Sequence, residues 1–284
     1  MLECLPGMKV FGTQQITLFT AATATQQNRP TEEEKHHWQD RLDSYAVRLL
    51  DSTKFQVATR VDSDAKTPVP KRILKAAQNA GAGYIIIANW GHSKLREVLP
   101  RSTVTALLQQ CDMPVFLIKL HQDDKADAIH GPKLRCMTPC HDALNHILYP
   151  TDFSETARHA FDTLCRLAAG PSKQITLFHV QASGKVDLTN AAQLEEFNRI
   201  DRERLQILSE ELRAQARVDV DIALSQGPAA RLIVEKARLA KATMILMGSQ
   251  GRGFISDLFL GGVAYQVIRN TLVPALIIPA RRNS

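Results

Sequence analysis

The segment QITLF occurs twice in the chain, at residues 15–19 and 174–178, an offset of 159 residues. A second matched pair, CDMPVFLIK at 111–119 and TLVPALIIP at 271–279, places Pro114 and Pro274 at an offset of 160. Two anchors at nearly one spacing constrain the fold more than any composition does: the chain holds two copies of one unit. Between the anchors both halves run in the same order. A charged helix comes first, with Trp38, Leu42, Tyr45 and Leu49 in one half and Leu194, Phe197, Leu205, Leu208 and Leu212 in the other. Their three-, four- and seven-residue spacings put them on one face. A β-type run follows (55–61; 218–224), then a helix (71–79; 229–240) and an apolar strand (84–88; 243–247). A glycine-containing loop, a last helix and a last strand complete each copy.

Short apolar strands alternating with helices predict a mostly parallel sheet covered on both faces. The expected fold is therefore α/β, two tandem doubly wound, Rossmann-like domains. The copies differ at the front. The second opens HILYPTDFSETARHAFDTLCRLAAG, which predicts a strand at 146–150, a turn, and a helix from Glu155 with Ser154 as its cap. The first has only about a dozen residues before its QITLF and lacks that strand and most of that helix. Either the unit is shortened or the chain start is assigned too late. The expected organisation is a shortened domain over 1–120, a linker over 121–145 and a complete domain over 146–284. The linker is polar and carries Gly131, Pro132 and Pro139.

Composition removes several classes of function. With 44% apolar and 23% charged residues the chain is globular, and no apolar run approaches the roughly 20 residues of a membrane span. The opening MLECLPGMKVFG has no basic segment followed by an apolar core, so the cytoplasm is the expected compartment. Five cysteines, an odd count in a long chain, predict reduced thiols. Cys136, Cys140, His141 and His146 fit no standard zinc spacing and read as unpaired thiols and surface imidazoles. The net charge of +6 is spread over helices without an aromatic–basic stripe, which favours an anionic small molecule over nucleic acid.

Two loops of the second copy stand out. Residues 248–264 read GSQGRGFISDLFLGGVA and follow the apolar strand ending at Met247. Glycine is used where backbone turns sharply or another group comes close, and such a loop before a helix presents N–H groups to an anion. The other loop is Pro150-Thr151-Asp152, also after a strand. In open α/β sheets ligands sit beyond the carboxyl ends of strands at the switch point. If the first and fourth strands of the copy flank that point, the two loops face one crevice. Asp152 then accepts from the polar edge of a nucleoside, and the glycine loop with the helix N-terminus near Gly262 meets phosphates. The loop is no Walker A motif, and neither G-x-G-x-x-G nor a Gly-x-Ser-x-Gly elbow is present. With no general base beside the loop, any ATP hydrolysis is expected to be slow and incidental.

ILYPTDFSETA at 147–157 and the G-x2-G-x9-G pattern at Gly248, Gly251 and Gly261 resemble the universal stress protein family. The resemblance covers the second half and, more loosely, the first, so the chain resembles a tandem member. It implies binding of ATP or a related adenine nucleotide, with or without magnesium, by a stress-response regulator. It also implies that Pro150, Thr151, Asp152 and Val180 line the adenosine end. Met247, Gly248, Gly251, Gly261, Gly262 and Val263 would then surround ribose and phosphates, with Arg252 either forked onto phosphate or solvated. The family pattern has Ser or Thr after the third glycine, where this chain has Gly262. One hydrogen bond is thereby lost, worth on the order of 1 kcal/mol. At the 160-residue offset Ala88, Gly91, Arg101 and Ser102 replace Gly248, Gly251, Gly261 and Gly262, so the first copy is expected to bind no nucleotide. The resemblance implies instead an intramolecular pseudo-dimer through the final strands, with association of two chains left open. The competing readings are a nucleotide-free interaction module, a carrier of an apolar ligand, and a weak ATPase.

Overall fold

The computed structural model describes residues 2–22, 30–90, 103–122, 134–181, 191–251 and 260–281. The N-terminal half contains a 3₁₀ segment (Leu2–Phe11), then β1 (Gln15–Ala21), α1 (Glu32–Ser52), β2 (Gln56–Asp62), α2 (Val69–Asn79), β3 (Ile85–Trp90), α3 (Thr103–Leu108) and β4 (Val115–Gln122). A short β5 (Leu134–Cys136) and a 3₁₀ turn (Cys140–Asp142) lie within the stretch read as linker. The C-terminal half runs β6 (His146–Thr151), α4 (Glu155–Ala168), β7 (Gln174–Gln181), α5 (Ala191–Gln215), β8 (Asp219–Gln226), α6 (Ala229–Leu239), β9 (Met244–Gly248), α7 (Gly262–Asn270) and β10 (Ala275–Ile278). Among the described residues no helix is long and apolar enough to cross a membrane.

Local chemistry accounts for the helix starts. Thr31 and Glu34 form a reciprocal capping box ahead of α1, whose buried face is Leu42, Ala46 and Leu49. Ser154 caps α4, accepting from the Ala157 amide at 3.2 Å. Along β6 every residue is buried because helices cover both faces of the sheet. Ile147 and Tyr149 point into one core layer with Phe161 and Leu164, and Leu148 points into the other with Phe178 and Val267. In α5, Leu205 and Leu212 are fully buried whereas Phe197 is 38% exposed. A helix of 25 residues is about 37 Å long, against about 26 Å for the eight-residue β7 and β8. Its first turns overhang the sheet and carry Phe197 with them.

The main sheet is ordered β3-β4-β10-β9-β6-β7-β8, with β5 added beside β4. In the C-terminal half β6 lies between β7 and β9 and runs parallel to both. The chain moves outward through β7 and β8, then crosses back to β9 and β10, so strand order reverses between β6 and β9. The halves join where β4 and β10 pair antiparallel, Val115 opposite Ile277, Phe116 opposite Leu276 and Leu117 opposite Ala275. Lys119 of β4 is 1% exposed at this junction and donates its Nζ proton to the Ile268 carbonyl of α7. Burial lowers its pKa from 10.5 to about 8.

The missing first strand shows in the N-terminal half. Strands β1 and β2 pair in parallel over seven residues as a sheet of their own, and among the described strands none bridges them to β3. The 3₁₀ segment packs there instead: Cys4, Leu5 and Met8 are buried, and the Phe11 ring lies 5.1 Å from Phe116 and 6.5 Å from Tyr84. The expectation of reduced thiols is corrected at one pair. Cys4 and Cys136 form a disulfide with Cα atoms 6.7 Å apart, while Cys111, Cys140 and Cys165 are free and buried. The partners are separated by 132 residues, and only the docking of the 3₁₀ segment beside β5 brings them together.

Candidate functional site

The loops after β6 and β9 leave the same edge of the sheet from adjacent strands. The β6 turn is held by its own side chains. Thr151 Oγ1 accepts from the Phe153 amide at 3.0 Å and Asp152 Oδ1 from the Ser154 amide at 3.0 Å. Phe153 takes a φ of +60°, a conformation costly for a bulky residue, which these bonds and the Ser154 cap sustain. The turn aims the second carboxylate oxygen of Asp152 at Gly251, where a Cβ would lie 2.6 Å from Oδ2.

The glycines of the β9 loop are tied to close approach in different degrees. A Cβ on Gly248 would sit 2.9 Å from Thr156 Cγ2 and 3.2 Å from the Thr156 backbone, so the loop lies directly on the first turn of α4. A Cβ on Gly261 would meet the Ser249 carbonyl oxygen and Gln250 Cα at 3.4 Å. The Gly261 amide donates to that carbonyl at 2.7 Å, which closes the loop. Gly261 is the N-cap of α7 and makes no side-chain cap bond. The first amides of that helix therefore present the positive end of its dipole without a capping oxygen. A Cβ on Gly262 would meet nothing within 4 Å, and Val263 is 43% exposed.

The structure thus brings together Thr151, Asp152, Gly248, Gly251, Gly261, Gly262 and Val263 at one edge. Pro150 pairs with Phe178 inside β6, and Val180 is half-buried near the end of β7. Met247 is directed into the core with Ile245 and Val267, so its side chain packs the layer beneath the loop. Arg252 lies outside the described residues, as do 91–102, which hold the first-half counterparts Gly91, Arg101 and Ser102.

Two polar residues at this edge have no place in the glycine or Pro-Thr-Asp patterns. Ser249 is 2% exposed and its hydroxyl has no hydrogen-bond partner among the described residues. His179 is 7% exposed and contacts the Thr151 carbonyl oxygen through Nδ1 at 2.7 Å. The signal for His179 was present in the repeat, where QITLFHVQ answers QITLFTAA. Ser249 carried none, because burial of a loop hydroxyl depends on tertiary packing.

The chain is similar to known proteins in sequence and in fold. The profile of the Universal stress protein family matches residues 143–279. Universal stress protein YxiE of Bacillus subtilis is 26% identical over 145 residues, 47% of this chain and 98% of its own. A universal stress protein of Mycolicibacterium smegmatis is 25% identical over 220 residues, 76% of this chain and 67% of its own. The crystal structure of a universal stress protein from Archaeoglobus fulgidus superposes with a TM-score of 0.69 at 20% identity, over 98% of this chain and 92% of that one. The last likeness extends the fold over both halves. Over residues 143–279, just under half of its length, the chain matches the universal stress protein family.

Proposed function

We propose that the C-terminal half binds an adenine nucleotide between the β6 turn and the β9 loop, and that occupancy regulates the protein in a stress response. The carrying observation is the approach of Asp152 Oδ2 to Gly251 beside the uncapped N-terminus of α7. A carboxylate accepts from the hydroxyl and N–H edge of a nucleoside, and bare helix amides with a positive dipole suit phosphate oxygens. Gly262 and Val263 supply backbone donors, so the phosphate end rests on main chain whichever side chain stands at 262. Magnesium, where present, would accompany the phosphates.

The test is mass spectrometry of small molecules released when the purified chain is denatured, followed by calorimetric titration with ATP, ADP and AMP. Release of close to one equivalent of an adenine nucleotide, or saturable binding of one, is the expected result. Absence of both would transfer the site to the interaction-module reading. Gly262→Ser is expected to tighten binding by about fivefold, since one added hydrogen bond is worth about 1 kcal/mol and the Cβ position is open.

A further inference from the structure

Beside the site lies a buried polar cluster that belongs to neither loop. His179, Gln181 and Asp201 are 7%, 6% and 8% exposed. The Nδ1 of His179 faces the Thr151 carbonyl oxygen at 2.7 Å, which can only accept, so Nδ1 carries the proton. Its Nε2 lies 3.5 Å from Asp201 Oδ2. Gln181 Nε2 donates to the same Oδ2 at 2.9 Å, and Arg204 Nη1 reaches Asp201 Oδ1 at 3.3 Å. The Phe153 ring rests on the imidazole, centroids 4.7 Å apart, and the Arg204 guanidinium covers Phe153 at 5.4 Å. Thr151 is opposite His179 in the parallel register and is the last residue of β6. Where the backbone ladder ends, the imidazole continues it with a side-chain bond.

The repeat provides an internal comparison. At the offset of 159 that relates β1 to β7, Thr20 stands for His179 and Ala22 for Gln181; the helices that follow align at 163, Leu42 with Leu205 and Leu49 with Leu212, so Trp38 stands for Asp201. The half whose glycine pattern is broken has lost every member of the hydrogen-bonded core of the cluster, while the flanking QITLF is unchanged. Simple sheet packing does not require the cluster, since β1 and β2 pair over seven residues without it.

We propose that His179 is a positioning residue of the nucleotide site. By donating to the Thr151 carbonyl and supporting Phe153, it fixes the turn that holds Asp152 against Gly251, while Gln181 holds Asp201 beside it. This inference rests on the nucleotide reading above. Two variants of the full chain separate positioning from mere packing. In His179→Asn the amide N–H stands where Nδ1–H stood; in His179→Gln it stands where Nε2 stood, and the Thr151 carbonyl loses its donor.

ATP and AMP titrations are expected to leave His179→Asn within about threefold of the parent and to weaken His179→Gln by about tenfold or more, the effect of about 1.4 kcal/mol. A ligand-free readout accompanies them: amide exchange at Phe153 and Ser154, whose N–H groups are bonded within the turn. Exchange is expected to quicken in the Gln variant and to stay near the parent rate in the Asn variant. Equal affinity and equal exchange in the two variants would overturn the proposal. A parent chain that binds no adenine nucleotide would overturn the functional reading instead, and the exchange contrast would still decide whether His179 holds the turn.

Discussion

Single residues of this protein divide into those whose neighbours leave no freedom and those that stand in open space. Gly251 and Gly262 belong to one motif but face opposite circumstances: a Cβ at 251 collides with Asp152, and a Cβ at 262 meets nothing. Gly251→Ala is therefore expected to displace Asp152 and weaken nucleotide binding by at least tenfold, whereas Gly262→Ala leaves it within about twofold; calorimetric titration checks both. Lys119 makes the converse case, a cation where the sheet wants an apolar chain. Its pKa falls from 10.5 to about 8, a cost on the order of 3 kcal/mol in the folded state below pH 8. Lys119→Met removes that cost and forfeits one hydrogen bond to Ile268, worth about 1 kcal/mol. The variant is expected to be more stable than the parent by about 1–2 kcal/mol at pH 7 in urea unfolding. Between pH 8 and 10.5 the unfolded chain keeps a proton that the folded parent has released, so parental stability rises and the gain shrinks.

At the scale of elements, most of the structure follows from local pattern. The Ser154 cap, the start of α4 at Glu155 and the two strands, read to Pro150 and Met247 and each extending one residue further, were legible, because capping and burial on both faces leave signals within a few residues. Two features were not. Phe197 was expected on the buried face of α5 and is exposed, since periodicity says which face a residue occupies and not whether the sheet beneath extends that far. The 3₁₀ segment Leu2–Phe11, with Pro6 inside it and a broken apolar pattern, gave no sign that it would dock and bond Cys4 to Cys136. Once docked, it is held by that bond together with buried Leu5 and Met8 and the Phe11 contacts. Reduction, or Cys4→Ser, is expected to lower unfolding stability by about 2–4 kcal/mol, measured in denaturant melts with and without reductant.

The whole molecule is organised around the antiparallel joint between β4 and β10, which turns two repeats into one sheet. Phe116 is fully buried at that joint, and Phe116→Ala is expected to cost about 3–5 kcal/mol. Both tryptophans, Trp38 and Trp90, belong to the N-terminal half, so tryptophan fluorescence follows that half while far-UV circular dichroism follows all of it. The two melts are expected to coincide, as a shared sheet requires; an earlier fluorescence midpoint would show the halves unfolding separately. By itself the sequence determined that there are two α/β repeats and that the second carries paired Pro-Thr-Asp and glycine loops. Those properties are written in spacing and in short-range chemistry. Tertiary structure alone decided that β6 and β9 are neighbours at the reversal of strand order, that Asp152 meets Gly251, that His179 clasps the turn, and that Cys4 finds Cys136. Each of these joins residues far apart in the chain, and only the closing of a shared core, which pays for bringing them together, selects one such pairing over the rest.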